Sequence, residues 1–510
     1  MRISPAKLAL GFVLVLRGGS ALAQPVTAAL DYGRHPVGFR AVTEIDHSRT
    51  VQAKTTFDGK PLPGEAAMPL QIGIWYPAAD AASGVPMSAE QYKTLWSSID
   101  RTALVADFGR MLTFGELTAT NEQLVEALTR QTRARRDAAP LKGPFPLIVA
   151  GASTSMTWPA LEYIASHGYV VVTSWSSMRT ATLQATQPAV ALETQTRNME
   201  YLAAFAGRQG LGDAAAGLGL IGVNFDGMAA LNFEMRNMRA DAVISLDGYE
   251  GKRSGTAMLQ ASPYFDPLRM RVPYLIFVQD ERDPGPALVH DRVVFDALAY
   301  STRYWFVLNG FNHGRLISDV ANVGTLTADQ RAGHAFVVRT MRRFLDAYVK
   351  RDAATRALLE KAPSEGLPAG VQKASFTEKG LAPAPTSEEF ERLVMDGPIE
   401  RAARAYREAK AANPRVQIFD EQTINLYAFR YAQRKQMNEA LELRRLAAEA
   451  FPASADAAYR LGVAASDGAQ PSEAREAFTR ALKLLDESTM TTAQKEAMRK
   501  QIRSRLDGTQ

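Results

Sequence analysis

Three short stretches of this sequence place residues where nucleophilic chemistry could be done. From Leu218 to Ala230 the chain reads Leu-Gly-Leu-Ile-Gly-Val-Asn-Phe-Asp-Gly-Met-Ala-Ala: an apolar run, a tight glycine-framed turn, then a segment rich in alanine and methionine. That is the pattern of strand, sharp turn and helix in which G-x-S-x-G thrusts a serine out at the end of a sheet. Here the position that would carry the serine is Asn224, and the next expected glycine is Asp226. After the apolar run Tyr274 to Val278 comes an acidic turn, Gln279-Asp280-Glu281-Arg282-Asp283-Pro284. After Tyr304 to Leu308 comes Asn309-Gly310-Phe311-Asn312-His313-Gly314. Apex residue, acid and histidine in that chain order make a hydrolytic triad. Asp283 is favoured over Asp280, because a few residues of loop must carry the carboxylate beneath the imidazole. His313 is chosen among six histidines: His35 and His47 precede the sheet, His167 ends a helix, His290 follows the acidic turn and His334 lies within a helix.

The apex chemistry is impaired. A carboxamide nitrogen is delocalised and has no proton that imidazole can usefully remove. Without a nucleophile, a triad keeps at most the contribution of its oxyanion hole and of binding. Asp226 sets a carboxylate where a developing oxyanion needs positive charge, and a side chain where a tight turn normally tolerates none. Near a helix N-terminus, however, an acid is otherwise comfortable. Ser153 or Ser155, in Gly151-Ala152-Ser153-Thr154-Ser155, or a water activated by His313, are the alternative attacking groups. No histidine and carboxylate cluster has metal-ligand spacing. There is no P-loop and no dinucleotide fingerprint, so neither metal nor cofactor is expected.

The elements that must position these residues follow from periodicity. From Pro146 onward the chain alternates strand and helix, the sign of a parallel sheet. Leu147 to Ala150, Tyr169 to Thr173, the run before Asn224, Ala242 to Leu246, Tyr274 to Val278 and, last, Tyr304 to Leu308 read as buried strands. Helices are expected over Trp158 to His167, Gln195 to Phe205 and, closing the domain, about Ala328 to Tyr348. Leu70 to Tyr76 alternates and reads as one strand of an antiparallel hairpin at a sheet edge. Residues 85–139 are helical in pattern and end in a basic cluster, Arg130 to Arg136. They form either a lid or a flank over the sheet edge.

Ile74-Trp75-Tyr76-Pro77-Ala78, Phe145-Pro146-Leu147-Ile148-Val149, Ala165-Ser166-His167-Gly168-Tyr169-Val170-Val171, the elbow Gly222-x-Asn224-Phe225-x-Gly227 and the loop from His313 to Asp319 together carry a resemblance. Residues 31–350 resemble the α/β-hydrolase superfamily, nearest its dienelactone-hydrolase-like and platelet-activating-factor-acetylhydrolase-like branches. In those relatives the elbow reads G-H-S-F-G-G, so Phe225 and Gly227 match while Asn224 and Asp226 depart. The resemblance implies an α/β fold with a mostly parallel sheet, and hydrolysis of an ester, thioester or lactone through an acyl-enzyme. It places the triad at Asn224, Asp283 and His313. It also implies an oxyanion hole from the Phe225 N–H and an N–H of the Gly151-Ala152-Ser153 turn.

Beyond a linker at 363–387, residues 388–510 are helical and repetitive. Ala428, Ala440 and Ala447 recur 34 residues later as Gly462, Ala474 and Ala481, with Tyr431, Pro452 and Phe478 at the large-residue and proline positions of a tetratricopeptide repeat. Ala402, Tyr406, Ala409 and Pro414 suggest a degenerate earlier copy. Small residues there let paired helices approach, so the segment resembles two to three such repeats and a capping helix.

The N-terminus, with Arg2 and Lys7 before the apolar Leu8 to Leu16 and then Ala21-Leu22-Ala23, reads as a secretory signal peptide over 1–23. Arg17 directly behind the core keeps an uncleaved anchor as the alternative. No later segment reaches membrane length. The 510 residues, 46% apolar and 22% charged, suit a soluble protein of two or three domains. A net charge of +5 provides no basic stripe for nucleic acid. Absent cysteine excludes disulfides, thiol nucleophiles and iron–sulfur clusters. The expectation is a secreted or periplasmic esterase-like protein acting on a small ester-like ligand, with weak or no activity. Its alternative is a non-catalytic protein that binds a ligand in the pocket or a protein partner on the repeats.

Overall fold

The computed structural model describes residues 25–50, 54–64, 67–95, 99–113, 116–175, 186–280, 290–317, 321–323 and 326–507. The expected leader at 1–23 therefore lies outside the described residues, as does Asp283. Among the described residues eleven strands form one sheet: β1 (Val37–Thr50), β2 (Ala67–Pro77), β3 (Val85–Ser88), β4 (Gln131–Arg136), β5 (Pro146–Ala150), β6 (Val170–Ser174), β7 (Asp213–Val223), β8 (Ala242–Leu246), β9 (Tyr274–Val278), β10 (Arg303–Leu308) and β11 (Gln372–Glu378). Their order is β11-β10-β9-β8-β7-β5-β6-β2-β1-β4-β3. The six from β10 to β6 run parallel. β2 joins β6 antiparallel and pairs with β1 as a long antiparallel hairpin.

The central strands are short apolar runs because helices cover both sheet faces. Alternate residues sort to opposite sides. Ile148, Ile221, Ile244, Leu275 and Phe306 pack with Phe336, Met341 and Leu345 of the helix Ala328–Tyr348. Leu147, Leu220, Val243, Ile276 and Val307 pack with Leu202 and Phe205 of Pro188–Gln209 and with Met228 and Leu231 of Phe225–Asn237. The architecture is thus a mixed α/β layer structure followed by a helical region.

Two edges differ from the sequence expectation. β2 is not an edge, because β1, β4 and β3 lie beyond it. The basic cluster expected to end a helical segment is instead strand β4, and among the described residues of 85–139 three helices lie between β3 and β4. At the opposite edge, β11 lies within the expected linker and pairs antiparallel with β10, so β10 is not the last strand. β11 is a polar edge strand and β4, held between β1 and β3, is polar as well; a two-residue alternation without an apolar face gives sequence reading little to detect.

The helical region begins at Ser387. Helices starting at Ser387, Glu421 and Ala455 recur at intervals of 34 residues, each followed by a partner helix. Gly462 permits the third pair to close, since a Cβ there would enter the Phe478 ring. Leu268 and Tyr300 of the α/β region join the core formed by Phe390, Ala402, Tyr406 and Phe419. Arg269–Glu388 and Arg271–Glu389 ion pairs flank that contact. Among the described residues no helix is long and apolar enough to cross a membrane.

Candidate active site

β7 ends at Val223, and the helix Phe225–Asn237 begins two residues later. Between them Asn224 adopts φ 58° and ψ −122°, a conformation that L-residues rarely hold without support. The support comes from three backbone hydrogen bonds: Asn224 N–H donates to Leu246 O, while Gly227 and Tyr249 N–H donate to Asn224 O. Gly222 is required, because a Cβ there would overlap the Asp226 carbonyl. Gly227 leaves room for Ser245 and for the buried Glu250, whose carboxylate accepts the Tyr274 hydroxyl at 2.8 Å. Burial raises the pKa of Glu250.

Asp226 occupies the position where a glycine was expected, and Gly151 on the facing turn accommodates it: a Cβ at 151 would overlap the Asp226 side chain. Asp226 is fully buried. Its Oδ2 accepts the Ser153 N–H at 2.6 Å, while Oδ1 has no partner among the described residues. Burial pushes its pKa up to about 6 despite the bonds from Ser153. The Asn224 Oδ1 is likewise buried and without a partner among the described residues. Of the three residues expected around an oxyanion, Ala152 and Ser153 lie on the turn facing the elbow and Phe225 opens the elbow helix. The Ser153 N–H is already given to a carboxylate.

His313 opens the short helix His313–Leu316, capped by the Asn312 side chain. Its Nδ1 lies 2.6 Å from Asp247 Oδ2. Asp247 follows β8 directly, and β7 and β8 pair Val223 with Leu246, so Asn224 and Asp247 emerge side by side. The Asp247 carboxylate also accepts Lys252 Nζ at 2.9 Å and the Gln279 N–H at 3.0 Å. Burial works to raise its pKa, but the His313 hydrogen bond and the Lys252 charge outweigh it and hold the group near 2. An ionised carboxylate on Nδ1 fixes the tautomer that leaves Nε2 as the proton acceptor.

Sequence reasoning did not find Asp247 or Lys252. The available signal was Leu246-Asp247-Gly248, an acid at the carboxyl end of the strand after the elbow strand. Asp280, the alternative acid, serves the histidine loop: it accepts the Gly310 N–H at 2.7 Å, pairs with Lys373 of β11, and its own N–H donates to Phe311 O. His334 is buried against Arg315 O, and burial lowers its pKa to about 4. Among the described residues no group of acids and histidines could hold a metal ion. No family model matches the chain, and no curated protein matches its sequence.

Proposed function

We propose that this chain is an exported α/β-hydrolase-like protein, built on the plan of a carboxylic-ester or related acyl hydrolase, with weak or no esterase activity. One observation carries the reading: a carboxamide stands at the strained apex, and beside it the Asp226 carboxylate accepts the Ser153 N–H. In acyl transfer a hydroxyl would pass its proton to imidazole, and paired N–H groups would stabilise the oxyanion. Asn224 has no such proton to pass. Asp226 brings negative charge to the place where the transition state would develop it. The His313–Asp247 pair supports retained proton handling, so residual turnover runs through a water deprotonated at His313 Nε2.

A second reading is a scaffold role for the tetratricopeptide-like helices. It is favoured by a cavity of about 830 Å³ between the helices beginning at Glu421 and Ala455, where Leu426 and Phe429 stay exposed. Release of nitrophenol from nitrophenyl butyrate tests the main proposal. Background turnover in the native protein, with a large gain in Asn224→Ser/Asp226→Gly, supports it. Substantial native turnover that disappears in His313→Ala overturns it.

A further inference from the structure

The basic cluster of β4 is not used by the site at the elbow, and its arginines divide into two groups. Arg135 is spent on the carbonyls of Ala82, Ser83 and Gly84, and Arg136 faces Asp137. Arg130 and Arg133 instead line a cavity of about 370 Å³, together with Tyr32, Trp158, Glu162 and Asn322. No residue described around Asn224 or His313 lines it. We propose that this cavity binds a small monocarboxylate with an apolar body, its carboxylate meeting Arg130 and the Trp158 indole N–H.

Trp158 is only 5% exposed, and its Nε1 is buried with no acceptor among the described residues. Arg130 Nη1 is buried in the same condition, although Nη2 reaches Glu126 at 3.4 Å. Buried donors normally find acceptors, and the two residues that carry these orphans both line the cavity, so an acceptor from outside the chain would satisfy them. Two N–H donors suit the two oxygens of one carboxylate. Arg133 adds charge: its guanidinium lies 4.7 Å above the Tyr32 ring and makes no ion pair among the described residues. Tyr32, with Ala89, Ala127 and Pro25, supplies the apolar wall for the ligand body.

Glu162 sets the charge limit. Its oxygens accept the Tyr92 hydroxyl and the N–H groups of Arg133 and Ala134, so it has little left to offer a ligand donor. Burial pushes its pKa up to about 7, yet near neutrality it still repels a dianion. A monocarboxylate therefore fits better than phosphate. The volume falls within the range of small-molecule sites. The proposal is independent of what happens at Asn224.

The test is calorimetric titration of the full chain at pH 8 with benzoate, hexanoate, benzamide and inorganic phosphate. Benzoate and hexanoate are expected to bind saturably, with benzamide and phosphate at least about tenfold weaker. Trp158→Phe removes the indole N–H but keeps a ring, and Arg130→Gln removes the charge. Each should weaken benzoate by about tenfold. Arg133→Gln, on an exposed side chain, should weaken it a few-fold without disturbing the fold, and it decides the matter with Arg130→Gln if Trp158→Phe melts early. Absence of saturable carboxylate binding up to about 10 mM, equal affinity for benzamide, tighter phosphate binding, or benzoate affinity unchanged in the folded variants each overturns the proposal.

Discussion

Asp226→Asn isolates the energetic cost of the carboxylate at the elbow. Asp226 is fully buried, and its pKa rises from 3.8 to about 6. A raised carboxyl pKa means that the folded chain binds the proton more tightly than the unfolded chain does. The contribution of this one group is then most favourable below about pH 4, falls as pH climbs toward 6, and reaches its full penalty above that. About two pKa units correspond to about 3 kcal/mol at pH 8, falling below about 1 kcal/mol at pH 4. Asparagine can still accept the Ser153 N–H, and its extra N–H, if unpaired, costs about 1 kcal/mol at every pH. The variant's stability relative to the native chain should therefore improve by about 2 kcal/mol between pH 4 and pH 8. Urea unfolding followed by tryptophan fluorescence measures this, because all five tryptophans precede residue 350 and report the α/β region. A difference that stays flat with pH, or that moves in the opposite direction, would refute the buried, ionising carboxylate.

Three further outcomes follow from the same contacts. Asp247→Asn leaves Lys252 buried without its counter-charge, and should cost about 3–5 kcal/mol in thermal or urea unfolding, with much of it restored in Asp247→Asn/Lys252→Met; a neutral single variant would contradict the pairing. Gly151→Ala should cost about 1–3 kcal/mol alone and almost nothing in an Asp226→Gly background, because the overlap involves that one side chain; additive effects would show that the two do not touch. Truncation after residue 386 uncovers Leu268 and Tyr300 and leaves Arg269 and Arg271 without Glu388 and Glu389. It should lower the urea midpoint of the tryptophan signal, and an unchanged midpoint would mean that the helical region contributes nothing to the sheet's stability.

The central sheet was legible because its strands are short, apolar and separated by strongly periodic helices. The closing helix spans Ala328–Tyr348, as its apolar spacing predicts. The bend at Asn224 was legible because glycines at 222 and 227 are demanded by backbone and carboxylate neighbours that leave no room for a Cβ. The partner of His313 was not. Asp247 sits one residue past β8 with φ 49°, and Asp before Gly at a strand end reads as ordinary turn chemistry. What assigns it a larger role is a long-range contact with a histidine 66 residues away, and no local pattern encodes that. Asp226 illustrates the same limit. Its fit depends on Gly151, a residue of another loop whose small size has no visible reason in its own neighbourhood. The polar strands β4 and β11 escaped because they lack the apolar alternation that marks a half-buried one.

The most direct test is covalent labelling with diisopropyl fluorophosphate, read by intact mass and peptide mapping. The account predicts no adduct on the native chain and a stoichiometric adduct at position 224 in Asn224→Ser/Asp226→Gly, which restores the hydroxyl and releases the Ser153 N–H from Asp226. An adduct on a native serine such as Ser153, or a folded double variant that stays unlabelled, would contradict it.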